Sequence, residues 1–531
     1  MGNGKIQKRF KFMKPQLIIP MSGVSKRFSD KGYQKPKFLL DILGKPMINH
    51  VVEIFKGWEN ILFVVNEDHL LDEELKLFEN LTSIAPNSKI FPIKPHKKGP
   101  AWAILQAKDV INLESPVVVN YCDFGCLLDV EALTSVINSD LDGTIITYSG
   151  FHPHMLRSTQ FAYVKKDVEG FVIDIKEKES FTDNPMEEEA SSGTYGFKSG
   201  KLLIDSILDQ INSDFSFNSE YYISLTYKSL LKNNLKIKTQ KIDYFMQWGT
   251  PEDFEDFNFW SKSFQDAAIK KHKSINSKKI ILAAGESRRF KAKNYLGSKA
   301  LLPIGNASLI QQQINYLGST NTTCALRSSQ LDLKSELNRI GVKYIEIQNL
   351  TRGQAESAKF AIDKLKKDEP LFIGPCDVIM GFSEYDDINN FDADLIVWIK
   401  KNVPYTKLQP GHFGWVKSDS VSDEINDVLI KKIPPNFEDW AVITGAFSFK
   451  STKVFSDLLD SLIKNEITIN NEFYIDSVIE LAIKKNLKVY SREPDVYFSL
   501  GTPDEFAIFN YWKNCFEKWS SHPYNSYSTP T

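Results

Sequence analysis

The sequence predicts an α/β protein of two tandem domains, each built on a doubly wound, mostly parallel β-sheet. Three observations point to this fold class. The chain has 531 residues, which is too long for one ordinary core. Sequence motifs of its first half return in the same order in its second half. Within each half, apolar runs of strand length alternate with stretches that have the apolar spacing of helices.

The internal repeat is the most informative of these observations, because it sets the domain boundaries. "GVSKRF" at 23–28 returns as "GESRRF" at 285–290. Further motifs follow in both copies at a nearly constant offset: "KGPAWAILQA" and "RGQAESAKFA", "NYCDF" and "GPCDV", "SSGTYGF" and "ITGAFSF", "FNSEYYI" and "INNEFYI", "WGTPEDFEDFNFW" and "LGTPDEFAIFNYW". Chance similarity would not keep this order, so we infer a duplication.

The duplication predicts domain 1 over residues 14–262 and domain 2, a divergent copy, over residues 278–516. Residues 263–277 between them are assigned as a linker, because the segment from Ser261 to Lys278 is polar and lysine-rich, as expected of a linker or of a terminal helix followed by a linker. Residues 517–531 lack a core-forming pattern, so we expect a disordered tail there.

Strands and helices are expected to alternate along each domain. "PQLIIPM", "ENILFVVN" and "SPVVVNYCD" in domain 1, and "KKIILAA" in domain 2, are apolar runs that fit buried strands. "GPAWAILQAKDVI" and "GQAESAKFAIDKLKK" have helical spacing. In a doubly wound sheet, ligands bind beyond the carboxyl ends of the strands, and the motif glycines and aspartates fall there.

Composition excludes several classes of partner and location. The formal net charge is −2, so the chain has no global basic field for nucleic acid or an anionic membrane. No apolar run approaches the ~20 residues of a membrane span. Five cysteines form an odd, sparse set that fits free buried thiols in a cytoplasmic protein; a metal at the closely spaced Cys122 and Cys126 is the weaker alternative.

The glycine loop after the first strand of each repeat is a candidate anion site. Gly23 and Ser25, like Gly285 and Ser287, place small residues where backbone N–H groups could approach a phosphate. Such a loop by itself often makes only a turn. The arginines that follow, Arg27 and Arg289, add forked donors for a phosphate.

A lysine follows each arginine at the same spacing in both repeats. Lys37 and Lys299 stand directly before apolar runs, which is an awkward place for a charge unless it points into a cleft. The alternative is a solvated lysine at a loop end. Recurrence at identical spacing favours a functional role for both lysines.

Asp123 and Asp377 close buried strands, where an unpaired carboxylate would cost several kcal/mol. Mg²⁺ is the expected cation if the anion is a nucleotide, because it prefers one or two carboxylates together with phosphate oxygens. A capping or loop aspartate is the structural alternative at both positions.

The first repeat strongly resembles the sugar-phosphate nucleotidyltransferases, also called NDP-sugar pyrophosphorylases. The resemblance rests on "IIPMSGVSKRF", "KPKFLLDILGKPM", "DIKEKESF", "SGTYGF", "NSEYYI" and "WGTPEDF". The second repeat is similar to a divergent member. The resemblance implies Rossmann-like, GT-A-like nucleotidyltransferase domains. It also implies a reaction in which an NTP and a sugar 1-phosphate, or a similar phosphorylated headgroup, give an NDP-sugar and pyrophosphate with Mg²⁺.

The resemblance also implies residue roles. Arg27 and Lys37, with Arg289 and Lys299 in repeat two, would grip the triphosphate, and Asp123 and Asp377 would hold the metal. The nucleotide would contact Gly23, Ser25, Gly99, Gly285, Ser287 and Gly353. The acceptor would contact Glu177, Lys178, Gly193, Glu220, Lys431, Gly445 and Glu472.

Two departures from the family pattern bear on the site. The slot of a second metal-binding aspartate holds Gln247 in the first repeat and Ser499 in the second. Asp243 and Asp495, four residues earlier, would lie about 13 Å away along a strand and cannot substitute. In repeat two, Ile430 stands where the first repeat has Glu177.

These observations favour a tandem nucleotidyltransferase that is active at least in the first repeat. By analogy with the family alone, we expect it to supply an activated sugar for surface polysaccharide or capsule. One alternative is a second repeat that binds nucleotide without catalysis and regulates the first. The other is a nucleotide-sugar-dependent glycosyltransferase, although "NYCDF" lacks its Asp-x-Asp. The nucleobase, the acceptor and the oligomeric state, including a homo-oligomer, stay open at this point.

Overall fold

The computed structural model describes residues 14–365, 367–383, 388 and 391–528. The chain divides into two compact units, Met1–Phe257 and Asn258–Thr531, which we call unit 1 and unit 2. Unit 1 carries the first repeat and unit 2 carries the second.

Unit 1 alternates strands and helices along the chain. Its strands are β1 Gln16–Met21, β2 Asp41–Ile42, β3 Lys45–Pro46, β4 Ile61–Asn66, β5 Lys89–Ile93, β6 Val117–Asn120, β7 Phe124–Cys126, β8 Gly143–Tyr148, β9 Ala162–Lys166, β10 Val172–Glu177, β11 Glu189–Phe197, β12 Ile237–Lys241 and β13 Phe245–Gln247. Its helices are α1 Lys26–Asp30, α2 Met47–Ile54, α3 Glu67–Leu71, α4 Leu77–Ile84, α5 Pro100–Gln106, α6 Val130–Ile137, α7 Gly200–Asn212, α8 Ile223–Lys232 and α9 Pro251–Ile269, of which the last continues into unit 2.

The main sheet of unit 1 has the order β10-β9-β11-β6-β1-β4-β5. Strands β6, β1, β4 and β5 are parallel neighbours, and β12 runs parallel to β8. Every residue of β1, β4 and β6 is buried, as expected of strands covered on both faces. Strand β11 is antiparallel to β6, β8 and β9, so the sheet is mixed.

Unit 2 repeats this architecture. Its strands are β14 Lys278–Leu282, β15 Pro303–Ile304, β16 Ala307–Ser308, β17 Thr322–Arg327, β18 Lys343–Ile347, β19 Leu371–Pro375, β20 Val378–Gly381, β21 Leu395–Lys400, β22 Gly414–Ser418, β23 Ile425–Ile430, β24 Ala441–Phe449, β25 Val489–Arg492 and β26 Val496–Ser499. Its further helices are α10 Arg288–Lys291, α11 Leu309–Leu317, α12 Leu331–Arg339, α13 Gln354–Ile362, α14 Thr452–Lys464, α15 Ser477–Lys484, α16 Pro503–Lys518 and α17 Pro523–Ser528.

The sheet of unit 2 matches the sheet of unit 1 strand for strand at its centre. Strands β18, β17, β14 and β19 are parallel neighbours, and β24 lies antiparallel beside β19. The predicted fold class, two tandem α/β domains with mostly parallel sheets, is therefore confirmed. All five cysteines are buried free thiols.

The predicted linker over 263–277 differs from the structure at its start. Helix α9 continues to Ile269, and the division between the units falls inside it, after Phe257. The helix carries buried aromatic residues at helical spacing. Trp260, before the predicted linker, is 0% exposed, and Phe264, inside it, is 1% exposed. Their packing against Phe498 holds the helix where composition suggested a linker.

The predicted disordered tail over 517–531 also differs from the structure. Helix α16 ends at Lys518 and α17 begins at Pro523. His522 is buried, and its ring stacks on Phe516 at 4.0 Å between centroids. This stacking anchors the chain beyond α16, and the last residues of the predicted tail, 529–531, lie outside the described residues. Within the described ranges, no helix combines the length and the apolar character needed to cross a membrane.

Candidate active site

A cavity of about 590 Å³ opens in unit 1 beside the carboxyl ends of β1 and β6. This is the edge at which a doubly wound sheet binds its ligands. Every residue of unit 1 that the sequence nominated lines this cavity: Gly23, Ser25, Arg27, Lys37, Gly99, Asp123, Glu177, Lys178, Gly193 and Glu220. The structure thus brings together residues that lie nearly 200 positions apart.

The glycine loop forms one wall of the cavity. Ser25 adopts a left-handed backbone conformation, with φ of 51°, just before α1. Its Oγ accepts a hydrogen bond from the backbone N–H of Lys37 at 3.1 Å, which ties the loop to the lysine segment. A Cβ added at Gly23 would meet no atom within 4 Å, so the space in front of this glycine is open to a ligand.

Lys37 and Asp123 form an ion pair inside the cavity. The Nζ of Lys37 lies 2.6 Å from Oδ2 of Asp123, and both side chains are about four-fifths shielded from solvent. Burial alone would lower the pKa of Lys37, but attraction by Asp123 outweighs burial and raises this pKa above its usual value. The lysine therefore stays cationic at every physiological pH.

Unit 2 contains the same arrangement. Ser287 is left-handed with φ of 55°, and its Oγ accepts a hydrogen bond from the backbone N–H of Lys299 at 2.9 Å. The Nζ of Lys299 lies 2.5 Å from Oδ2 of Asp377. Burial opposes the charge of Lys299 here too, yet the attraction of Asp377 raises its pKa. A Cβ at Gly285 would also meet open space.

Arg27 and Arg289 stand on the short helices α1 and α10 and are exposed. Arg27 lines the cavity of unit 1. Within the described residues, neither guanidinium forms an ion pair with a carboxylate, so both are available to an incoming anion.

Gly99 and Gly353 have a steric role that the sequence did not reveal. Gly99 has φ of +85°, and a Cβ there would lie 2.7 Å from the backbone N of Tyr221. Gly353 has φ of +127°, and a Cβ there would lie 2.5 Å from the carbonyl O of Phe473. In both units only glycine fits this close backbone approach, which begins α5 and α13.

The acceptor side of the unit 1 cavity is built on β10, β11 and the segment before α8. Glu177 is 9% exposed, and its Oε2 accepts a hydrogen bond from the Oγ of Ser224 at 2.5 Å. The Nζ of Lys178 lies 3.7 Å from Oε1 of Glu177. Burial raises the pKa of Glu177, and Lys178 and Ser224 offset this only in part. The Tyr222 hydroxyl donates to Oε2 of Glu220 at 2.8 Å.

The backbones of Gly193 and Lys178 also shape this wall. Gly193 lines the cavity with φ of +97°, and its carbonyl accepts from the N–H of Tyr121 at 3.1 Å. Lys178 is left-handed with φ of 62°, a conformation that costs a non-glycine residue about 1–2 kcal/mol. Its N–H donates to the carbonyl of Phe161 at 2.9 Å, which holds the lysine in place.

The corresponding wall of unit 2 keeps some of these features. Lys431 is left-handed with φ of 55°, and its N–H donates to the carbonyl of Phe413 at 3.1 Å. The Tyr474 hydroxyl donates to Oε2 of Glu472 at 3.0 Å. Gly445 has φ of +82°. The side chain between these elements is Ile430, which is 8% exposed and brings no carboxylate.

The donor set at Asp123 fits a hard divalent cation that is completed by a nucleotide. Asp123 presents a carboxylate beside the glycine loop, and Gln247 on β13 lines the same cavity. Mg²⁺ commonly binds one or two carboxylates together with substrate phosphates, so one aspartate suffices for this chemistry. Asp243 is exposed, and it is not among the residues that line the cavity.

The remaining candidate ligands of unit 2 are engaged elsewhere. Ser499 donates to Oε1 of Glu505 at 3.0 Å. Asp495 pairs with Lys270 at 2.7 Å and accepts from the N–H of Ser383 at 2.6 Å. Although burial opposes it, these partners lower the pKa of Asp495 to about 2.

Sequence reasoning missed the residues that orient the acceptor side. Tyr222 and Tyr474 each hold a predicted glutamate, and Ser224 holds Glu177. The tyrosine could have been found, because it recurs at the same place in "SEYYI" and "NEFYI". Ser224 does not recur, so no sequence signal marked it.

Comparison with known proteins matches both units to nucleotide-transferring families. The family model described as Nucleotidyl transferase matches residues 17–259, and the one described as MobA-like NTP transferase domain matches residues 279–382. The bifunctional protein GlmU of Clostridioides difficile (strain 630) is 27% identical over 227 residues, which cover 41% of this chain and 45% of the relative. GlmU of Thermosipho africanus (strain TCF52B) is 28% identical over 231 residues, which cover 43% of this chain and 46% of the relative.

The chain thus spans less than half the length of these curated relatives. Among solved structures, the nucleoside-diphosphate-sugar pyrophosphorylase from Vibrio cholerae RC9 aligns with 46% of this chain and 100% of its own, at 21% identity and a TM-score of 0.39.

Proposed function

We propose, from the premise that this chain belongs to the sugar-phosphate nucleotidyltransferase family, that unit 1 transfers a nucleotidyl group from an NTP to a sugar 1-phosphate or a similar phosphorylated headgroup. The family assignment rests on the two family matches together with the GlmU relatives. The observation that carries the proposal for unit 1 is the Lys37–Asp123 pair, which lies in one cavity between the glycine loop and the acceptor-side carboxylates.

The reaction requires positioning and charge stabilisation rather than a covalent intermediate. An oxygen of the acceptor phosphate attacks the α-phosphorus of the NTP. A new P–O bond forms, and the bond from the α-phosphorus to its bridging oxygen breaks. Pyrophosphate leaves with that electron pair, and no redox partner is needed. Arg27 and Lys37 would offset the negative charge that develops on the transferring and leaving groups.

Asp123 would hold the Mg²⁺ that we propose as cofactor, and bound Mg²⁺ would neutralise part of the triphosphate charge. Lys37 pairs with this carboxylate in the structure. An incoming triphosphate offers Lys37 a second anionic partner in the same place. The pair therefore keeps the lysine extended into the cavity before the nucleotide binds.

The acceptor side fits a polar, phosphorylated ligand. Glu177 and Glu220 offer carboxylate oxygens that can accept from sugar hydroxyls, and Lys178 offers a cation for the acceptor phosphate. We place the product, an activated sugar, in the supply of surface polysaccharide. This role is an analogy with the family and is separate from the site geometry.

Unit 2 supports a second candidate function, because it keeps the Lys299–Asp377 pair and the Ser287 contact unchanged. We propose a second nucleotidyltransferase site there. A nucleotide-binding unit without catalysis is the alternative outcome. A nucleotide-sugar-dependent glycosyltransferase is less well supported. The arginine and the lysine that recur in both units fit the charge of a triphosphate better than the smaller charge of a diphosphosugar.

Pyrophosphate release by the full chain tests the proposal. The assay pairs each of the four NTPs with a panel of sugar 1-phosphates and small phosphomonoesters, with Mg²⁺. Lys37→Ala should reduce the unit 1 reaction at least about 100-fold, as expected for a lost transition-state contact. Lys299→Ala should do the same for any unit 2 reaction. The matched controls are Lys35→Ala and Lys293→Ala, at exposed lysines of the same segments.

Release that is retained in the double variant Lys37→Ala and Lys299→Ala would refute the assignment of both sites. Release abolished by Lys37→Ala and indifferent to Lys299→Ala would leave unit 1 as the enzyme and make unit 2 a binding unit.

A further inference from the structure

Three residues of the acceptor side change together between the two units. Unit 1 has Glu177, Ala162 and Ser224, and unit 2 has Ile430, Gly414 and Asp476 at the corresponding places. The carboxylate is lost from a strand end and gained at the start of a helix. The contacts of each set show that this exchange is a coordinated change.

In unit 1 the carboxylate comes from the sheet. Glu177 ends β10 and lies directly opposite Ala162 of β9 in the strand register. Ser224, in the first turn of α8, reaches across and donates its hydroxyl to Oε2 of Glu177 at 2.5 Å. Positions 177 and 224 are therefore in contact, and one supplies the acid while the other supplies a neutral donor.

In unit 2 the carboxylate comes from the helix. Ile430 ends β23 and lies directly opposite Gly414 of β22. Asp476 stands just before α15, at the position that matches Ser224. A Cβ added at Gly414 would lie 2.5 Å from Oδ2 of Asp476 and 2.9 Å from Cδ1 of Ile443, so an alanine there would require the carboxylate of Asp476 to shift from its observed place. Glycine at 414 makes the room that the carboxylate occupies.

Asp476 is not used by the fold as an ordinary helix cap. Its side chain makes no capping hydrogen bond to α15. Within the described residues it forms no ion pair, although Lys431 is close enough to attract its negative charge. Removal from water raises the pKa of Asp476, so the fold stabilises its charge only weakly. A carboxylate in this condition gains from a ligand that donates hydrogen bonds to it.

We propose that Asp476 is the specificity-determining acid of the unit 2 acceptor pocket. We further propose that this pocket takes a sugar phosphate with a hydroxyl donor facing Asp476 and a nonpolar edge, a C–H or methyl group as in a deoxysugar, facing Ile430. The proposal deepens the proposed function and rests on it for the identity of the pocket.

The chemistry of the two positions carries this assignment. A carboxylate only accepts hydrogen bonds, so it selects a donor group on the ligand. Isoleucine has no polar atom, and a hydroxyl placed against it would lose its hydrogen bonds to water without replacement. Because Gly414 and Ile430 lie opposite each other on paired strands, the acid has moved by about one strand spacing, roughly 5 Å, relative to unit 1.

The test uses the full chain with Lys37→Ala and Lys178→Ala, so that both pyrophosphate release and the binding of the acceptor report on unit 2. The probes are hexose 1-phosphates and 6-deoxyhexose 1-phosphates with each of the four NTPs, and calorimetry measures the binding of the same phosphates. Asp476→Asn should raise the acceptor KM and Kd at least about 10-fold while the KM for the NTP stays within about twofold. Glu480→Gln, at an exposed acid of the same helix, is the control and should change neither.

A second variant guards against an effect on folding. Gly414→Ala places a methyl against Asp476 and should weaken the acceptor in the same way, with an unchanged KM for the NTP. Ile430→Glu should shift the preference from deoxyhexose to hexose phosphates. Binding that Asp476→Asn weakens would support the proposal even if unit 2 releases no pyrophosphate, and the failure would then belong to the proposed catalysis alone. Equal acceptor KM and Kd in wild type and Asp476→Asn, or no member of the panel bound at unit 2, would overturn it.

Discussion

The two units share a lysine–aspartate pair beside the glycine loop, which we propose to meet an anion. They differ in the position of the acid on the wall that we propose to meet the acceptor. Lys37–Asp123 and Lys299–Asp377 have the same geometry, and a serine hydroxyl ties each lysine to its glycine loop. On the opposite wall the acid sits on β10 in unit 1 and before α15 in unit 2. The duplicated fold has thus kept the lysine–aspartate pair that we propose to meet the triphosphate and changed the acid that we propose to meet the acceptor.

The units also differ inside the sheet. Leu17 is the second residue of β1 in unit 1, and it is 0% exposed. β14 of unit 2 carries Lys279 at the matching position, and Lys279 is also 0% exposed. Its Nζ donates to the carbonyl of Thr320 at 2.7 Å and to the carbonyl of Ile275. Unit 2 therefore buries a cation where unit 1 buries a hydrocarbon.

The largest effect should come from the glycine that faces each aspartate. A Cβ at Gly249 would lie 2.9 Å from Oδ2 of Asp123, and a Cβ at Gly501 would lie 2.9 Å from Oδ2 of Asp377. We expect Gly249→Ala to displace the carboxylate and to lower kcat of the unit 1 reaction about 100-fold or more, because a small misplacement in the site costs that much. Pyrophosphate release measures the loss.

Gly501→Ala, the matching variant of unit 2, tests whether Asp377 has the same catalytic role as Asp123. An equal loss in the unit 2 reaction would show that both aspartates act alike. Gly411→Ala is the control, since a Cβ there meets no atom within 4 Å. Full activity in Gly249→Ala would contradict the role given to Asp123.

The next effect is the contribution that Lys279 makes to the pH dependence of the stability of unit 2. Burial first, and then repulsion by Lys278, lower the pKa of Lys279 from its ordinary 10.5 to about 8. Between these two values the unfolded chain binds more protons than the folded chain, so the free energy of unfolding rises with pH across this window. The stabilisation is complete above pH 10.5 and is lost as the pH falls towards 8. From pH 8 to pH 10 we expect Lys279 to contribute about 2 kcal/mol to the free energy of unfolding, while the buried thiols Cys324 and Cys376, whose pKa values burial raises, contribute with the opposite sign.

Urea unfolding of the full chain, followed by circular dichroism and fitted with one transition for each unit, measures this gain. Lys279→Met removes the titrating group and should remove its contribution of about 2 kcal/mol between pH 8 and pH 10 from one transition, which identifies that transition as the one of unit 2. Lys484→Met, at a lysine whose side chain is 70% exposed, is the control. The same slope in Lys279→Met as in wild type would show that another group is responsible.

Much of this architecture could be predicted because it depends on local patterns of apolar and polar residues in the sequence. Strands β1, β4 and β6 are largely apolar runs, and the glycine loop of unit 1 follows β1 directly in the sequence. The glycine loop and Asp123 meet in one cavity because the parallel strands β1 and β6 bring their carboxyl ends to one edge, whereas Glu177 and Gly193 reach this cavity from the antiparallel strands β10 and β11. The repeat supplied the rest, since each motif had a second copy at a fixed place.

What could not be predicted depends on contacts between distant segments. The importance of Asp476 becomes visible only when its carboxylate is seen to occupy the space above Gly414, 62 positions earlier in the chain. Helix α9 extends to Ile269, into the start of the predicted linker, and on it Trp260 and Phe264 pack against Phe498. Lys279 lies within an apolar run that reads as an ordinary strand, and only its two carbonyl partners explain how a cation is tolerated there.

The smallest effect should come from the neutral partner of the unit 1 acid. Ser224→Ala removes the hydroxyl that donates to Oε2 of Glu177 at 2.5 Å, while Lys178 stays 3.7 Å from the other oxygen. The loss of one hydrogen bond to a charged group that keeps its cation should cost about 1 kcal/mol. We expect the acceptor KM of unit 1 to rise about fivefold, with kcat and the KM for the NTP nearly unchanged.

Steady-state kinetics of Ser224→Ala against Ser229→Ala measures this effect, because Ser229 is a buried serine of the same helix that does not line the cavity. An equal rise in KM for both variants would mean that α8 tolerates serine loss poorly and that the hydroxyl of Ser224 has no special part. Positions 224 and 476 correspond in the two units. A larger rise in the acceptor KM for Asp476→Asn than for Ser224→Ala would show that the acid itself lies at a different position in unit 2. An equal rise would mean only that a polar group is needed at the start of this helix.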